Sequence, residues 1–452
     1  MQETIKLYDT DAYLAECAAT VLSCTPVVYK KKECFAVVLD RTVFFPEEGG
    51  QSADSGTLTL CDTPADADST GQDGAFTDTA DDPGQGGIPV LDVQIKNNII
   101  THYTPAALPE GGKAYCKIDF AERFSKMQQH SGEHIFSGLV DRHFGFRNVG
   151  FHVSALETTM DYDGVLSGED IDRLELLANE AIFKNLEITA EYPEPSVLSA
   201  LSYRSKIELT GPVRIVTIPG IDVCACCAPH VRRTGEIGLL KVVSSQHWKG
   251  GIRLHIVCGF RALSDYRKKQ ENVALISQLL SVKQEETGEG VKKFFHDTER
   301  LKEQNVALQR RYISELSHSL YPLGARSDAC AHQGAQSLPR PDGSAWLLLF
   351  ASDLSSVTHR ELCNRLLAPE TPVWDDTHNF SAALVFVRTE EGDGNGAESY
   401  RYILAAVTQD VRPLHESLKK ALRAKGGGSA EMVQGSVSAT EAEIRAWFSA
   451  LA

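Results

Sequence analysis

Two spaced pairs of side chains in this sequence have metal-ligand chemistry. His130-Ser-Gly-Glu-His134 sets two imidazoles at i and i+4, and Cys226-Cys-Ala-Pro-His230 sets a thiol and an imidazole at the same interval. On a helix, side chains at i and i+4 leave from one face about 6 Å apart, which suits a shared ion. One such pair is as readily two ordinary surface or core histidines. Two pairs in one chain, offering imidazole and thiolate together, form a donor set that zinc favours. The expectation is one Zn2+ per chain, held by His130, His134, Cys226 and His230. Cys224 and Cys227 could each replace Cys226, although only Cys226 has the three-residue gap to His230. Glu133 lies beside the pair and is a candidate general base, against the alternative of a solvated helix residue. His130 to His134 also fits the H-x-x-E-H pattern of some metalloproteases, but that chemistry takes a carboxylate as third ligand.

The run Phe44-Phe-Pro-Glu-Glu-Gly-Gly-Gln-Ser-Ala-Asp-Ser-Gly56 is the third element. Gly49 and Gly50 would let backbone come close to a ligand. By itself the run also reads as a turn between strands.

These motifs need elements to position them. Residues 26–60 and the stretch PVLDVQIKNNIITHYT read as strands, with a hairpin turn at Asn97-Asn98, and together suggest a small β-barrel. Between them, residues 61–89 hold seven Asp, no Lys or Arg and few large apolar side chains, the composition of a mobile loop. From Asp119 the apolar period becomes helical through Phe144, which places the first His pair on a helix. A strand over 151–162, a helix over 168–185, and strands at Arg214–Ile218, Gly238–Val243 and Arg253–Val257 complete an α+β layer. Residues 264–319 read as polar helix broken at Thr287–Gly290, a linker arm or a coiled-coil hairpin. A final α/β pattern follows. The fold class is therefore α+β, in four parts: a barrel over 1–118, a zinc-containing domain over 119–263, a helical arm over 264–321 and an α/β domain over 322–452.

The 452 residues are 42% hydrophobic and 23% charged, ordinary for a globular protein. No apolar run is long enough to span a bilayer and the N-terminus lacks the pattern of a signal peptide, so the reading is cytoplasmic with no membrane partner. Eleven scattered cysteines argue for reduced thiols over a disulfide framework. A net charge of −16 speaks against a general nucleic-acid binder. Basic residues nonetheless collect between Arg232 and Lys269, where a local basic surface remains open.

With FFPEEGGQSADSG, HSGEH, CCAPHVRRTGEIG and KGGIRLHIVCGFRAL in that order, the chain resembles the editing domain of alanyl-tRNA synthetase and its free-standing AlaX relatives. The resemblance is close over residues 1–263 and weaker beyond. There GGGSAEMVQG, with Gly426, Gly427 and Gly428, looks like the Gly-rich loop of a DHH-associated domain of the long form. The resemblance implies a trans-editing hydrolase that removes serine or glycine from mischarged tRNA(Ala), with the four ligands named above. One departure is that Cys226-Cys-Ala-Pro-His stands where the family has C-G-G-T-H. Thr42 and Gln51 are candidates to read the hydroxyl of serine. Lys249 and Arg253 could meet phosphates of the acceptor end, and the helical arm or the C-terminal domain could serve a homodimer. A non-catalytic, zinc-stabilised tRNA-binding protein is the remaining alternative.

Overall fold

The computed structural model describes residues 2–60, 87–205, 212–320, 334–367, 380–389 and 398–451. Most of the acidic loop expected over 61–89, and the start of the domain expected from 322, lie outside them. The chain divides into two compact units, Met1–Ala274 and Leu275–Ala452.

The first unit opens with seven strands in the order Ile88–Val90, Gly56–Leu60, Lys113–Ile118, Glu16–Tyr29, Lys32–Leu39, Ile99–Thr104 and Asp92–Lys96, each antiparallel to its neighbour. Glu16–Tyr29 serves two neighbours. Its first five residues pair with Lys113–Lys117, and from Val21 onward it pairs with Lys32–Leu39, with a register shift between Val21 and Ser23 that bends the strand. Asn97 and Asn98 take the positive φ values, 52° and 59°, of a two-residue hairpin turn. The order ends on two strands that are not paired with each other, so among the described residues no hydrogen-bonded seam closes the expected barrel. Phe44, Phe45, Leu39, Leu58 and Ile100 fill its core.

A helix over Phe120–Phe144 follows. Asp119 caps it by accepting from Glu122 N at 2.9 Å, and Gly145, at φ 69°, ends it. Every residue from Met127 to Val140 is buried. The four-stranded sheet Asn148–Val153, Thr158–Tyr162, Gly251–Cys258, Leu240–Trp248 and the helix Gly168–Phe183 pack against it. A three-stranded sheet, Thr189–Glu191, Ile215–Ile218 and Asp222–Ala225, completes the layer. Neighbours approach closely because the helix carries glycines: a Cβ on Gly138 would lie 2.6 Å from Ile221 O. The single strand expected over 151–162 is a hairpin instead. Ser154 Oγ accepts from the backbone N–H of Leu156 and Glu157 and turns the chain there.

The helical arm breaks earlier than expected. Helix Gly259–Leu280 ends before Ser281, at φ 53°, and Thr287–Gly290 form the first turn of the next helix, Thr287–Leu320. Glycine costs little there, because first-turn N–H groups have no intrahelical partner to lose. Ile313, Leu316 and Leu320 of its last turns join Leu347, Leu349, Leu362 and Val385 in the C-terminal core.

The C-terminal sheet runs Ala335–Pro339, Ala345–Ala351, Phe380–Arg388, Ser399–Ala406, Met432–Ser438, Lys425–Gly428. Of its neighbouring pairs, Ala345–Ala351 with Phe380–Arg388 is parallel and the others are antiparallel, so the unit is α+β where an α/β pattern was expected. Helices Ser356–Leu367, Arg412–Leu422 and Glu441–Ser449 lie with it. Gly426–Gly428 form part of an edge strand, not a loop: Gly426 faces Gly435, and a Cβ at Gly426 would lie 2.3 Å from Gln434 O. No described helix is long and apolar enough to cross a membrane.

Candidate metal centre

The Phe120–Phe144 helix is fixed to the glycine motif before it reaches its first histidine. The Arg123 guanidinium is paired with Asp54, with both side chains buried, and also donates to Ala12 O and Val43 O. Asp54 in turn accepts from Phe45 N at 2.7 Å, and Lys126 Nζ donates to Ala53 O at 2.6 Å. These contacts hold the residues just after Gly49-Gly50-Gln51 against the helix two turns before His130. The turn is also tied to the strand Asn148–Val153: Val153 N donates to Gly50 O and Ser52 N to Val153 O.

The second pair arrives on the segment after Asp222–Ala225. Cys226 Sγ lies 3.5 Å from His130 Nε2 and 3.4 Å from His230 Nε2. His134 completes the group, and one ligand atom from each of the four lies within 4.8 Å of the others. The structure therefore brings together all four residues expected from the sequence, in a grouping that could hold a metal ion. His134 with Asp222 and Cys224 forms a second grouping that shares one imidazole with the first.

Each imidazole is oriented by a partner on its far nitrogen. His130 Nδ1 meets Gln51 Oε1 at 2.8 Å, His134 Nδ1 meets Asp222 Oδ2 at 2.9 Å, and His230 Nδ1 meets Ser131 Oγ at 3.0 Å. With Nδ1 so engaged, Nε2 is left to face the centre. Arg204 grips both oxygens of Asp222, at 2.7 and 2.8 Å. Burial raises the carboxyl of Asp222, but hydrogen bonds from His134 and Arg204 outweigh it and hold it low. Burial lowers His134, and its bond to Asp222 carries it well above the usual imidazole value. Burial drives His230 down to about 3.

The three neighbouring cysteines separate on the same grounds. Burial raises the Cys226 thiol, yet the imidazoles of His130 and His230 overcome this and hold it well below the usual thiol range. Burial pushes Cys224 up to about 11 and raises Cys227 as well. Of the three, Cys226 is the one whose sulfur lies within 3.5 Å of the Nε2 atoms of His130 and His230.

Glu133 is not a solvated helix residue. It is buried, its Oε1 accepts from Ser137 Oγ at 2.7 Å and Asn148 Nδ2 at 2.6 Å, and its Oε2 lies 3.8 Å from His134 Nε2. Gln51 is fully buried, and its Nε2 has no hydrogen-bond partner. Gly49 backs on to the Cys227 thiol, and Gly50, at φ 86°, on to the backbone of Phe151, whose ring lies 4.6 Å from that of His130. Thr42 is elsewhere committed. Its hydroxyl meets His102 Nε2 at 2.9 Å and accepts from Phe44 N. Arg253 is clamped by Asp161 at 2.6 and 2.7 Å and lies over the Trp248 ring, and Lys249 sits at the tip of the same hairpin. Gly426, Gly427 and Gly428 are in the C-terminal unit.

Sequence reasoning missed Asp222, Ser131, Arg204 and Asn148. Ser131 is next to His130, so a search for hydroxyls beside each histidine would have found it, whereas Asp222 lies 88 positions from the imidazole that it orients. Arg204 and Asn148 carry no local signal.

Residues 213–255 match the family described as threonyl and alanyl tRNA synthetase second additional domain. The chain is similar to alanyl-tRNA editing protein Aarsd1 of Rattus norvegicus, 26% identical over 457 residues, which covers 97% of this chain and 96% of the relative. It is 30% identical over 269 residues to alanyl-tRNA editing protein AlaX-L of Pyrococcus horikoshii, covering 57% of this chain and 59% of that protein. The chain is thus a homologue of proteins named alanyl-tRNA editing proteins, over nearly its whole length in the case of Aarsd1. A solved C-Ala domain of Aquifex aeolicus alanyl-tRNA synthetase, 14% identical, covers 26% of this chain and is itself covered to 93%, with a TM-score of 0.19, too low to bear on the fold.

Proposed function

We propose that the chain is a trans-editing hydrolase that deacylates tRNA(Ala) mischarged with serine or glycine, acting in the cytoplasm with Zn2+ held by His130, His134, Cys226 and His230. The observation that carries this reading is the grouping of three imidazoles with the Cys226 sulfur, in a homologue of editing proteins. The donor set fits zinc. Bonds of about 2.0 Å to nitrogen and 2.3 Å to sulfur in a tetrahedron place neighbouring ligand atoms about 3.3–3.8 Å apart. The sulfur–nitrogen separations of 3.5 and 3.4 Å fall in that range.

When bound, the ion would anchor the four side chains that line the site. Four protein ligands make a closed centre of the structural type, so the proton work falls to the protein. Glu133 is the base of this proposal. It takes a proton from the water whose oxygen attacks the ester carbon, and returns it to the 3′-oxygen of adenosine as the ester bond breaks. Ser137 and Asn148 aim its carboxylate.

Gln51 reads the substrate. Its unpartnered Nε2–H can donate to the hydroxyl of serine, and a buried donor left without a partner costs about 1–3 kcal/mol. Thr42, whose hydroxyl is already committed, yields that role to Gln51. Gly49 and Gly50 let the turn approach the substrate. With Arg253 neutralised by Asp161, Lys249 is the better placed to meet an acceptor-stem phosphate. The C-terminal unit, with Gly426–Gly428, would add tRNA capture without chemistry, since every ligand lies in the first unit.

The decisive experiment measures release of amino acid from Ser-, Gly- and Ala-tRNA(Ala) by the zinc-loaded protein. Serine and glycine should leave faster than alanine. Gln51→Leu should erode the serine rate more than the glycine rate, while Thr42→Val should alter both alike. Absence of release from all three substrates would overturn the reading.

A further inference from the structure

Cys17 and Cys116 stand directly opposite each other where the strand Glu16–Tyr29 pairs with Lys113–Ile118. To one side of them Ile118 N donates to Ala15 O, and to the other Val21 N donates to Gly112 O. Both bonds lie an even number of positions away, and hydrogen-bonded pairs recur at every second position of an antiparallel ladder, so Cys17 and Cys116 form such a pair as well. The two Cα atoms of a pair of this kind are about 5.5 Å apart, with both side chains on one face, and disulfide-linked cysteines cluster at about 5.5–6 Å. Neither residue is in a disulfide here. Elsewhere among the described residues no two cysteines face each other across paired strands. Cys24 lies opposite Val37, Cys34 opposite Val27, Cys224 opposite Val216 and Cys258 opposite Leu240.

The two differ in exposure. Cys116 is fully buried in the core with Leu58 and Ala114, whereas Cys17 is half-buried and packs on the edge of that core. The hydrogen bond from the Cys116 thiol draws the Cys17 thiol below its usual range; burial opposes this, and a bond to the backbone of Val43 adds to it. Cys17 is thus reachable from solvent, with a second thiol fixed beside it.

We infer that Cys17 and Cys116 are a site of reversible oxidation by hydrogen peroxide, which closes them into a disulfide across the sheet. The Cys17 thiolate attacks one peroxide oxygen and the O–O bond breaks. Cys17 becomes a sulfenic acid, and the departing hydroxide leaves as water with the proton that the thiol gave up. The Cys116 sulfur then attacks the Cys17 sulfur, the S–O bond breaks, and a second water leaves with the proton of Cys116. The two thiols lose two electrons and the peroxide gains them. The bridge closes a loop that spans nearly the whole seven-stranded sheet, and long loops gain most from closure. This inference does not depend on the proposed hydrolysis.

The test treats zinc-loaded full-length protein with hydrogen peroxide, blocks unreacted thiols with iodoacetamide and maps tryptic peptides without reduction. Leu7–Lys30 should be found linked to Ala114–Lys117, and dithiothreitol should separate them. Fragmentation of the longer peptide should place the bridge on Cys17 and leave Cys24 alkylated. In Cys116→Ala, Cys17 should stop at the sulfenic acid and be captured by dimedone; should that variant misfold, the wild-type map decides alone. The linked protein should show the first unit's transition about 1–2 M higher in urea than the reduced protein. A wild type in which both cysteines stay alkylable, or a bridge on Cys24, overturns the site. An unchanged urea midpoint in fully linked protein overturns its role as a staple of the sheet.

Discussion

The two longest helices of this molecule are near opposites. In the 25-residue helix Phe120–Phe144 every side chain from Met127 to Val140 is buried, charged and polar ones included. In the 34-residue helix Thr287–Leu320 even phenylalanine and leucine stay in solvent until Ile313. A buried polar group persists only with a dedicated partner, so in the first helix each polar residue marks a committed contact. In the second, apolar residues stay partly in solvent and mark no such commitment. The same residue type thus carries opposite information in the two helices.

The sharpest break of the contrast is to remove a ligand from the buried helix. His134→Ala or Cys226→Ala should reduce bound metal from about one ion per chain to a trace, by elemental analysis of purified protein; full retention in both would remove the centre. Next is Asp54→Ala, which strands the Arg123 guanidinium in the interior. Breaking a buried pair in this way costs about 3–5 kcal/mol, to be read from the denaturant midpoint of the first unit's transition. A shift under about 1 kcal/mol would mean that water reaches the site. Third, Gln129→Ala removes both bonds that the side chain makes to the backbone of Cys258, at 2.9 and 2.8 Å, and should cost about 1–3 kcal/mol. Its counterpart on the exposed helix, Glu303→Ala, should fall within about 0.5 kcal/mol by thermal unfolding, and parity between the two would dissolve the distinction.

Much of the buried helix could be read in the sequence. Its period, its start near Asp119 and its spaced histidines are local patterns, as is the Asn97-Asn98 turn between strands, and local patterns survive folding. What could not be read is what distant segments bring. Asp222 orients His134 across 88 positions, and Asp54 reaches Arg123 across 69. Thr42 looked adjacent to the glycine motif in sequence, yet His102, on a neighbouring strand, claims its hydroxyl. Gly426–Gly428 resemble a Gly-rich loop in sequence, whereas in the edge strand Gly426 makes room for the facing backbone.

The Arg123–Asp54 pair has a consequence for time as well as for energy. Because it joins the helix to the glycine turn inside the protein, neither can fray without exposing an unpaired charge to apolar surroundings. Opening of the centre is therefore tied to opening of the unit as a whole. Amide protons between Met127 and Val140 should then exchange with solvent only as fast as that unit unfolds. An ion seated on the four ligands would be released on the same slow clock, far behind any motion of the hairpin at Trp248–Gly251.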